Sequence, residues 1–259
     1  MDPKFSHATK FNRYQAGRDH QKSFENFSSA APAPARVRTP MMNTILAALP
    51  DYELVRLLPK MDSIALAAGE EISSSDDSYV YFPESAVISH LYMLADGNTV
   101  EVAMIGSEGV IGACSIFDSS QSAHYIRVIA EGTAMRIKAT ILNNEFAYNR
   151  QIQSLLLNYL SAHLTQISQK SVCKSFHVIE SRFCTWLLML HDRAKRNRFS
   201  ITQEQMSLFV GVYRPTITLV AKSLKDRGLI DYKRGKVSII NRQGLEDTAC
   251  ECYLSVNNM

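Results

Sequence analysis

The chain has 259 residues, 46% of them hydrophobic and 20% charged, a composition that is typical of a globular protein and excludes a disordered or fibrous one. It contains no run of about 18 apolar residues, and its first residues lack the apolar core of a secretory signal, so we expect a cytoplasmic protein without a membrane partner. The net charge of +3 conceals a basic segment, residues 182–242, with 13 lysines and arginines against four acids, and this asymmetry favours a nucleic-acid partner.

The cysteines are odd in number, which argues against a disulfide framework. The pair Cys250-x-Cys252 is too closely spaced for a zinc knuckle, and no second pair accompanies it in the sequence. We therefore interpret the cysteines as thiols and predict neither a bound metal nor a cofactor. The five cysteines are Cys114, Cys173, Cys184, Cys250 and Cys252.

Residues 1–40 include the stretch SSAAPAPARVRTP and predict a disordered tail that ends in a stiff linker. A short helical pattern follows, and then short segments rich in valine, isoleucine and tyrosine alternate with turn signals such as Gly97-Asn98. Many short strands of this kind predict an antiparallel β-barrel or jelly roll. We assign residues 41–148 to this sensor domain and predict an α+β protein.

The hydrophobic period then becomes helical, and residues 149–175 predict one long helix. Its apolar stripe is wide enough to pack on two sides, and an identical helix from a second subunit is the economical second partner. We predict a homodimer on this ground, with packing inside the monomer alone as the alternative. A hinge is expected at Ser175–Phe176. The predicted dimerisation residues are Leu156, Leu160, His163 and Ile167.

Residues 176–259 carry the pattern of a winged helix-turn-helix domain. Thr202, with Gln205 three residues later, can cap a first helix, and Gly211 can supply the positive φ that ends it. A second helix then begins near Tyr213, and the two helices cross over a short turn. The inward apolar positions are Met206, Phe209 and Val210 in the first helix, and Ile217, Val220, Ala221 and Leu224 in the second.

Arg214 and Pro215 stand at the start of the second helix, where the missing N–H of proline costs nothing. The N-terminal end of a recognition helix points into the major groove, and an arginine there can bind guanine O6 and N7 with both arms of its guanidinium. Beyond this helix, GLIDYKRGKVSII predicts two strands joined by a tight turn, a wing with a basic tip that suits phosphate contacts. The predicted DNA-binding residues are Thr202, Gln203, Tyr213, Arg214, Pro215, Thr216, Thr218, Lys222, Lys225, Lys233, Arg234 and Lys236.

The order of a β-rich sensor, a long helix and a winged helix-turn-helix resembles the Crp/Fnr family of bacterial transcription regulators. The resemblance spans about residues 41–252 and is clearest in YFPESAVISHLYMLADGNTVEVAMIGSEGVIG and in ITQEQMSLFVGVYRPTITLVAKSLKDRGLI. It implies a cyclic-nucleotide-binding-like barrel and a homodimer that binds pseudo-palindromic operators. RNA polymerase and a small-molecule effector are further candidate partners.

The ligand residues of the cyclic-AMP-binding relatives are missing here. Those relatives follow a glycine with a glutamate that holds the ribose, whereas Gly112 is followed by Ala113; their phosphate-binding Arg-Ser pair corresponds to Ala123-His124. We therefore expect no cyclic-AMP binding. Arg127 could substitute for the missing arginine, although an arginine on a strand is more often at the surface or in a salt bridge.

Other cofactors of the family receive no clear support. Iron–sulfur relatives need cysteines ahead of the barrel, and the first cysteine here is Cys114. Heme stays open, because His90, His124 and Cys114 are present without a spacing that singles them out. The DNA reader also departs from the family's Arg, Glu, Arg pattern. Arg214 matches the first arginine, whereas Pro215 and Leu219 replace the other two residues, so a different operator is expected.

The sequence thus predicts a homodimeric, sequence-specific DNA-binding regulator of transcription initiation. The alternative is a small-molecule-binding module whose basic domain docks on an acidic protein, and a steep fall of duplex affinity with salt would distinguish the two. An enzyme is not expected, because no nucleophile with its base, metal triad or phosphate loop is readable in the sequence.

Overall fold

The computed structural model of the chain describes residues 41–72, 79–113 and 124–257, and the predicted tail lies outside these ranges. The helices are α1 Thr44–Ala47, α2 Asp51–Leu57, α3 Ala139–Tyr148, α4 Arg150–Phe176, α5 Ile179–Ala194, α6 Gln203–Val210, α7 Arg214–Asp226, α8 Arg242–Thr248 and α9 Cys252–Asn257. The strands are β1 Met61–Leu66, β2 Glu71–Ile72, β3 Tyr79–Pro83, β4 Val87–Met93, β5 Thr99–Ile105, β6 His124–Ala130, β7 Gly132–Lys138, β8 Arg198–Ser200, β9 Ile230–Lys233 and β10 Lys236–Ile239.

The β-rich region, β1 to β7, consists of two antiparallel sheets with strand orders β1-β7-β3 and β2-β6-β4-β5. Residues from both sheets share one apolar cluster, in which Tyr81 and Ala134 meet Ile88, Ala103 and Val128. Successive side chains of a strand point to opposite faces, and Val80 and Phe82 on either side of Tyr81 are buried in a separate cluster, so both faces of β3 are covered. The sheets pack on each other as in a jelly roll without closing into one barrel, so the predicted α+β fold is confirmed and the barrel is looser than expected.

A second apolar cluster lies between the sheet β1-β7-β3 and helices α1 to α4. It includes Leu54, Phe82, Ile137, Leu142 and Leu156, all buried. The first turns of α4 therefore belong to the packing of the β-rich region, which fixes where this long helix leaves the sheets.

An ion-pair group holds α2 against α3. The buried carboxylate of Glu145 accepts hydrogen bonds from Arg56 Nη1 at 2.7 Å and from Lys60 Nζ at 2.9 Å. The hydrogen bond from Arg56 is the largest of the causes that lower the pKa of Glu145, and the hydrogen bond from Lys60 adds to it. Together they outweigh burial, which raises this pKa, and bring it to about 2. The ionised carboxylate therefore stabilises the contact between these helices.

We expect Glu145→Gln to lower the free energy of unfolding by about 1–3 kcal/mol at pH 7, because two cations lose a buried, charged acceptor. The pKa of Glu145 is lower in the folded than in the unfolded chain, so the contribution is complete above about pH 4.5 and is lost as the pH falls towards 2. Urea unfolding at pH 7 and pH 3 would measure this contribution. The difference in the free energy of unfolding between wild type and Glu145→Gln should be smaller at pH 3. The matched control is Asp62→Asn, which removes an exposed partner of Arg136 and should cost under about 1 kcal/mol. Equal losses in the two variants would contradict the prediction.

The predicted hinge is two residues too early. Ser175 and Phe176 still belong to α4, and the break falls at His177 and Val178, which both have extended backbone before α5 begins. The helix continues because neither Ser175 nor Phe176 is a strong helix breaker, so no signal in the sequence marked the boundary.

The winged-helix region, residues 179–257, has its own small sheet with strand order β8-β10-β9. Trp186, Phe209, Leu224 and Val237 are among the buried residues that join α5, α6, α7 and this sheet in one cluster. The same cluster continues into β4 and β5 through Leu91 and Met104, so this region packs directly on the β-rich region.

Candidate nucleic-acid interface

The turn between α6 and α7 has the geometry that the sequence predicts. Thr202 Oγ1 accepts a hydrogen bond from Gln205 N at 3.2 Å, and Thr202 N donates to Gln205 Oε1 at 2.8 Å, which completes a capping box. Gly211 adopts φ 72° and ψ 54°, a left-handed conformation that glycine enters without a steric penalty. Gly211 N and Val212 N both donate to Ser207 O, which closes the first helix and aims the second.

Helix α7 buries one face and exposes the other. Ile217, Ala221 and Leu224 are buried against α6 and the wing sheet, at the spacing of one helix face. Val220 is partly buried against the same cluster. The opposite face is open, and it presents side chains that can reach a base edge or a phosphate. Its exposed members are Tyr213, Arg214, Pro215, Thr218, Leu219, Lys222 and Lys225, with Thr216 half-buried beside them.

The N-terminal end of α7 carries an unobstructed arginine. Arg214 is the first residue of the helix and Pro215 the second, and the side chain of Tyr213, which precedes them and is 86% exposed, does not cap the helix. Arg214 forms no ion pair with any residue in the described part of the chain. Pro215 has no N–H, and Thr216 N and Ile217 N both donate to Tyr213 O, so the Arg214 side chain and the positive end of the helix dipole are the features that favour an anion such as a DNA phosphate.

The wing ends in a tight basic turn. Arg234 (φ 50°) and Gly235 (φ 74°) both have positive φ and connect β9 to β10, with Lys236 opposite Lys233. Two residues with positive φ form the turn type that matches the twist of a hairpin. Lys233, Arg234 and Lys236 are exposed and form no ion pair with a described residue, so their charges are available to a polyanion.

Four of the predicted contact residues already have partners inside the protein. The Thr202 hydroxyl accepts the capping bond, and Thr218 Oγ1 donates to Gln203 Oε1 at 2.9 Å. Lys225 Nζ pairs with Asp231 Oδ1 at 2.7 Å and also contacts Tyr232 O. The capping partner of Thr202 was expected from the sequence, whereas the partners of Thr218 and Lys225 lie on α6 and β9, and no local pattern in the sequence indicates them. We rank Arg214, Lys222 and the wing tip above these four as DNA contacts.

Sequence reasoning treated Leu219 only as a missing arginine. The structure leaves this side chain 69% exposed on the same face as Arg214 and Lys222. An apolar side chain there suits the methyl group of a thymine in the major groove.

The winged-helix region is similar to a known protein family. Residues 181–248 match the family described as the Crp-like helix-turn-helix domain. This part of the chain therefore resembles the helix-turn-helix domains of Crp-like proteins. The comparison with curated protein sequences gave no match.

Solved structures, among them a regulator of the Crp/Fnr family, share the fold of about three quarters of this chain. A transcriptional regulator of this family from Eubacterium rectale has 16% sequence identity and a TM-score of 0.63 over 77% of this chain and 94% of its own. The regulator CLP of Xanthomonas campestris, described as responsive to c-di-GMP, has 16% identity and a TM-score of 0.59 over 73% and 99%. FixK2 of Bradyrhizobium japonicum has 17% identity and a TM-score of 0.59 over 73% and 98%.

These comparisons confirm the predicted resemblance and the fold class. The chain has a Crp/Fnr-type regulator fold with a Crp-like helix-turn-helix domain at its C-terminal end. The Eubacterium rectale protein is described as a transcriptional regulator, which is the class of protein that the sequence predicts for this chain. No described helix has the length and apolarity needed to cross a bilayer.

The predicted dimerisation residues lie on the face of α4 that packs within the subunit. Leu156 is only 2% exposed and packs with α1 and α3, and the partly buried Leu160 contacts the same cluster. The His163 ring stacks on Tyr159 with centroids 5.5 Å apart, and the partly buried Ile167 packs on the cluster between the sheets. The stripe predicted from the sequence therefore covers the β-rich region of its own subunit.

A different face of α4 is open. Leu157, Leu164 and Val172 are exposed, and the steps between them are seven and eight residues, close to two turns of helix. Leu164 is 65% exposed. We name Leu157, Leu164 and Val172 the open stripe of α4.

The sensor ligand residues can be placed only in part. Ala113 is buried in the described structure, whereas Ala123, Cys114 and the side chain of His124 lie outside the described residues. Arg127, the candidate substitute for the missing phosphate ligand, forms an ion pair with Glu71 on the neighbouring strand β2. His90 stacks on His163 with ring centroids 6.3 Å apart.

A buried carboxylate connects the β-rich region to the winged-helix region. Glu101 of β5 is fully buried, and its side chain accepts hydrogen bonds from Ser89 Oγ at 2.7 Å and from Trp186 Nε1 at 3.2 Å. Lys170 of α4 forms an ion pair with the same carboxylate. Trp186 also stacks on Phe209 of α6 with centroids 5.4 Å apart. We call Glu101, Ser89, Lys170 and Trp186 the Glu101 junction.

Proposed function

We propose that this protein is a homodimeric, sequence-specific DNA-binding regulator of transcription initiation. The proposal keeps the division into a sensor at residues 41–148, a dimer helix at 149–175 and a DNA-binding domain at 176–259. In this scheme α7 enters the major groove of each half-site, and the wing contacts the flanking phosphates.

One observation carries the proposal. Arg214 at the start of α7 and the wing tip at Lys233, Arg234 and Lys236 are exposed and free of ion pairs with described residues. Several other basic residues of the winged-helix region form ion pairs, as Arg193 does with Glu108 and Arg227 with Glu180, whereas Arg182, Lys195, Arg198 and Lys222 form none with a described residue. Lys222 lies on α7, so more of the unpaired cations lie on α7 and the wing than on the rest of the region, and these are the two elements that a winged helix-turn-helix domain places against DNA.

Selection of random duplex DNA by the purified full-length protein tests this function. We expect an inverted repeat whose half-sites lie about one helical turn apart, and an affinity for it that falls steeply as salt rises. Recovery of no motif together with a salt-insensitive affinity would favour the alternative of a basic domain that docks on an acidic protein.

The open stripe of α4 is the surface that we propose for the dimer. It continues along a helix whose other face is already covered by the β-rich region, so a second copy can pack there without disturbing the subunit. Steps of about two turns between its apolar residues are typical of helices that pack side by side. The predicted dimer is retained, and its contact residues move from Leu156 to Leu157, Leu164 and Val172.

We expect Leu164→Glu to raise the dimer dissociation constant at least tenfold, because a carboxylate would be buried against the partner helix. Sedimentation equilibrium over a range of concentrations would measure it. The matched control is Val55→Glu on α2, another exposed aliphatic residue, which should leave the dimer unchanged. The two variants should unfold at similar temperatures. Equal dimer dissociation constants for Leu164→Glu and Val55→Glu would rule out this surface.

A further inference from the structure

Four potential metal ligands meet where the C-terminal segment passes the end of α4. Cys173 lies in the last turn of α4 and His177 directly follows that helix, while Cys250 and Cys252 flank the start of α9. Cys173 Sγ is 3.5 Å from Cys250 Sγ, and Cys252 Sγ is 3.4 Å from His177 Nδ1. All four ligand atoms lie within 4.8 Å of one another.

These separations suit a single metal ion. A tetrahedral zinc with bonds of about 2.3 Å to sulfur and about 2.0 Å to nitrogen places its ligand atoms about 3.5–3.8 Å apart. An iron–sulfur cluster spreads its four ligands over two or more iron atoms, so ligands on different irons lie further apart than these four atoms. The separations between the four ligand atoms therefore suit one ion.

The surroundings of the ligands match those of a metal site. His177 turns Nδ1 towards the sulfur atoms, and its Nε2 lies 3.1 Å from Glu251 Oε1. A carboxylate on the far nitrogen of a metal-binding histidine fixes its tautomer and orientation. Gln169 Nε2 donates to Cys252 Sγ at 3.0 Å, and Thr185 Oγ1 lies 3.2 Å from Cys250 Sγ, so two of the sulfur atoms have polar partners that orient them.

We propose that Cys173, His177, Cys250 and Cys252 bind one soft divalent ion, Zn²⁺ by preference. Three thiols and one imidazole form a closed tetrahedral set of the kind that structural zinc sites use. Binding releases the three thiol protons to solvent, and His177 binds through its neutral Nδ1. A Cys173–Cys250 disulfide would use two of the four groups and leave the convergence of His177 and Cys252 on the same point unexplained.

The site ties the C-terminal segment to the break between α4 and α5. His177 and Val178 form this break, and it is the place where the winged-helix region joins the long helix. An ion bound there fixes the orientation of the DNA-binding domain relative to the dimer helix. This consequence for DNA binding rests on the proposed function, whereas the metal site itself does not.

The metal content of the full-length protein, purified under reducing conditions, tests the site directly. We expect one zinc per chain by elemental analysis. After exchange into Co²⁺, we expect saturation at one equivalent, with intense visible bands of a tetrahedral site and a thiolate charge-transfer band. Protein without zinc that also gives no tetrahedral cobalt spectrum would overturn the proposal, and a mass two units lower from a Cys173–Cys250 disulfide would identify a redox pair in its place.

Variants separate the ligands from other thiols. Cys250→Ser combined with Cys252→Ser should lose the zinc, whereas Cys184→Ala, a buried cysteine of α5 outside the site, should keep it. Because the double variant could fail to fold, Glu251→Gln is the second test, since its side chain is exposed and forms its ion pair with His177. We expect it to fold normally and to bind zinc about 10-fold more weakly or worse. The assignment of the four zinc ligands would be contradicted if Glu251→Gln bound zinc as tightly as the wild type and the double cysteine variant kept its zinc.

The affinity for operator DNA shows whether the metal site affects DNA binding. Removal of zinc with a chelator should weaken operator binding at least tenfold, with recovery on adding zinc back. Loss of zinc without any change in operator affinity would refute the coupling and leave the site in place. Absence of duplex binding with or without zinc would count against the proposed function and not against the metal site.

Discussion

Replacement of Glu101 by alanine is expected to lower the free energy of unfolding by about 3 kcal/mol or more and to loosen the contact between the β-rich and winged-helix regions. Glu101 is buried, and its carboxylate is the shared acceptor for Lys170, Trp186 and Ser89. Removing it leaves the Lys170 ammonium, whose side chain is only 22% exposed, without its counter-charge and the Trp186 N–H without an acceptor. The loss of one partner of a buried ion pair is among the most destabilising single changes.

The fluorescence of Trp186 measures this effect locally. It is the only tryptophan in the sequence, and its indole lies inside the Glu101 junction. We expect Glu101→Ala to shift its emission to longer wavelength under native conditions and to lower the urea midpoint. Glu101→Gln, which keeps an acceptor oxygen and the side-chain shape, should give a smaller loss.

The matched control is Glu131→Ala, which breaks another contact between the two regions. Glu131 forms an ion pair with Arg196, and their side chains are 55% and 33% exposed, so solvent screens the pair and the loss should be under about 1 kcal/mol. Comparable losses for Glu101→Ala and Glu131→Ala would show that the junction contributes no more than a surface ion pair.

Arg214→Ala is expected to weaken operator binding by about 1–3 kcal/mol per half-site, and to relax base preference at one position of each half-site. Both subunits of a dimer carry the change, so the total loss should approach twice that of one half-site. The physical reason is the position of Arg214 at the exposed start of α7, where it has no ion-pair partner among described residues. Binding to the selected operator and to single-base variants of it, at fixed salt, would measure both effects.

Arg234→Ala is the matched control at the wing tip. It removes one exposed positive charge, as Arg214→Ala does, but from a turn suited to phosphate contacts. We expect weaker binding to every duplex by a similar factor and a shallower dependence on salt, with base preference unchanged. The assignment fails if Arg234→Ala alters base preference or if Arg214→Ala leaves it intact.

The local structure of the DNA-binding domain could be read from the sequence. Thr202 and Gln205, Gly211, and the Arg234-Gly235 turn each impose a backbone conformation through their own chemistry, and the structure shows all of them as expected. The signals are short-range, since a capping box or a positive φ needs only neighbours within a few residues. The resemblance to the Crp/Fnr family depends on the same residues and on the order of the elements around them.

The direction in which α4 presents its faces could not be read from the sequence. Leu156 and Leu157 are adjacent and both apolar, yet one is buried in its own subunit and the other is exposed. Helical periodicity identifies an apolar stripe but not what covers it, and here α1 and α3 decide that. The ion pair of Lys225 with Asp231 was hidden for the same reason, because its geometry depends on how the wing folds back on α7.

By itself the sequence determined the order of the elements, the helix-turn-helix and the basic surface, because these depend on periodicity, on turn residues and on the distribution of charge along the chain. The tertiary structure alone decided which face of α4 is free. It also decided that Glu101 is buried under Trp186, and that Cys173 and His177 lie beside Cys250 and Cys252. Groups more than 70 residues apart in the chain meet only when whole elements pack, and no local pattern encodes that meeting.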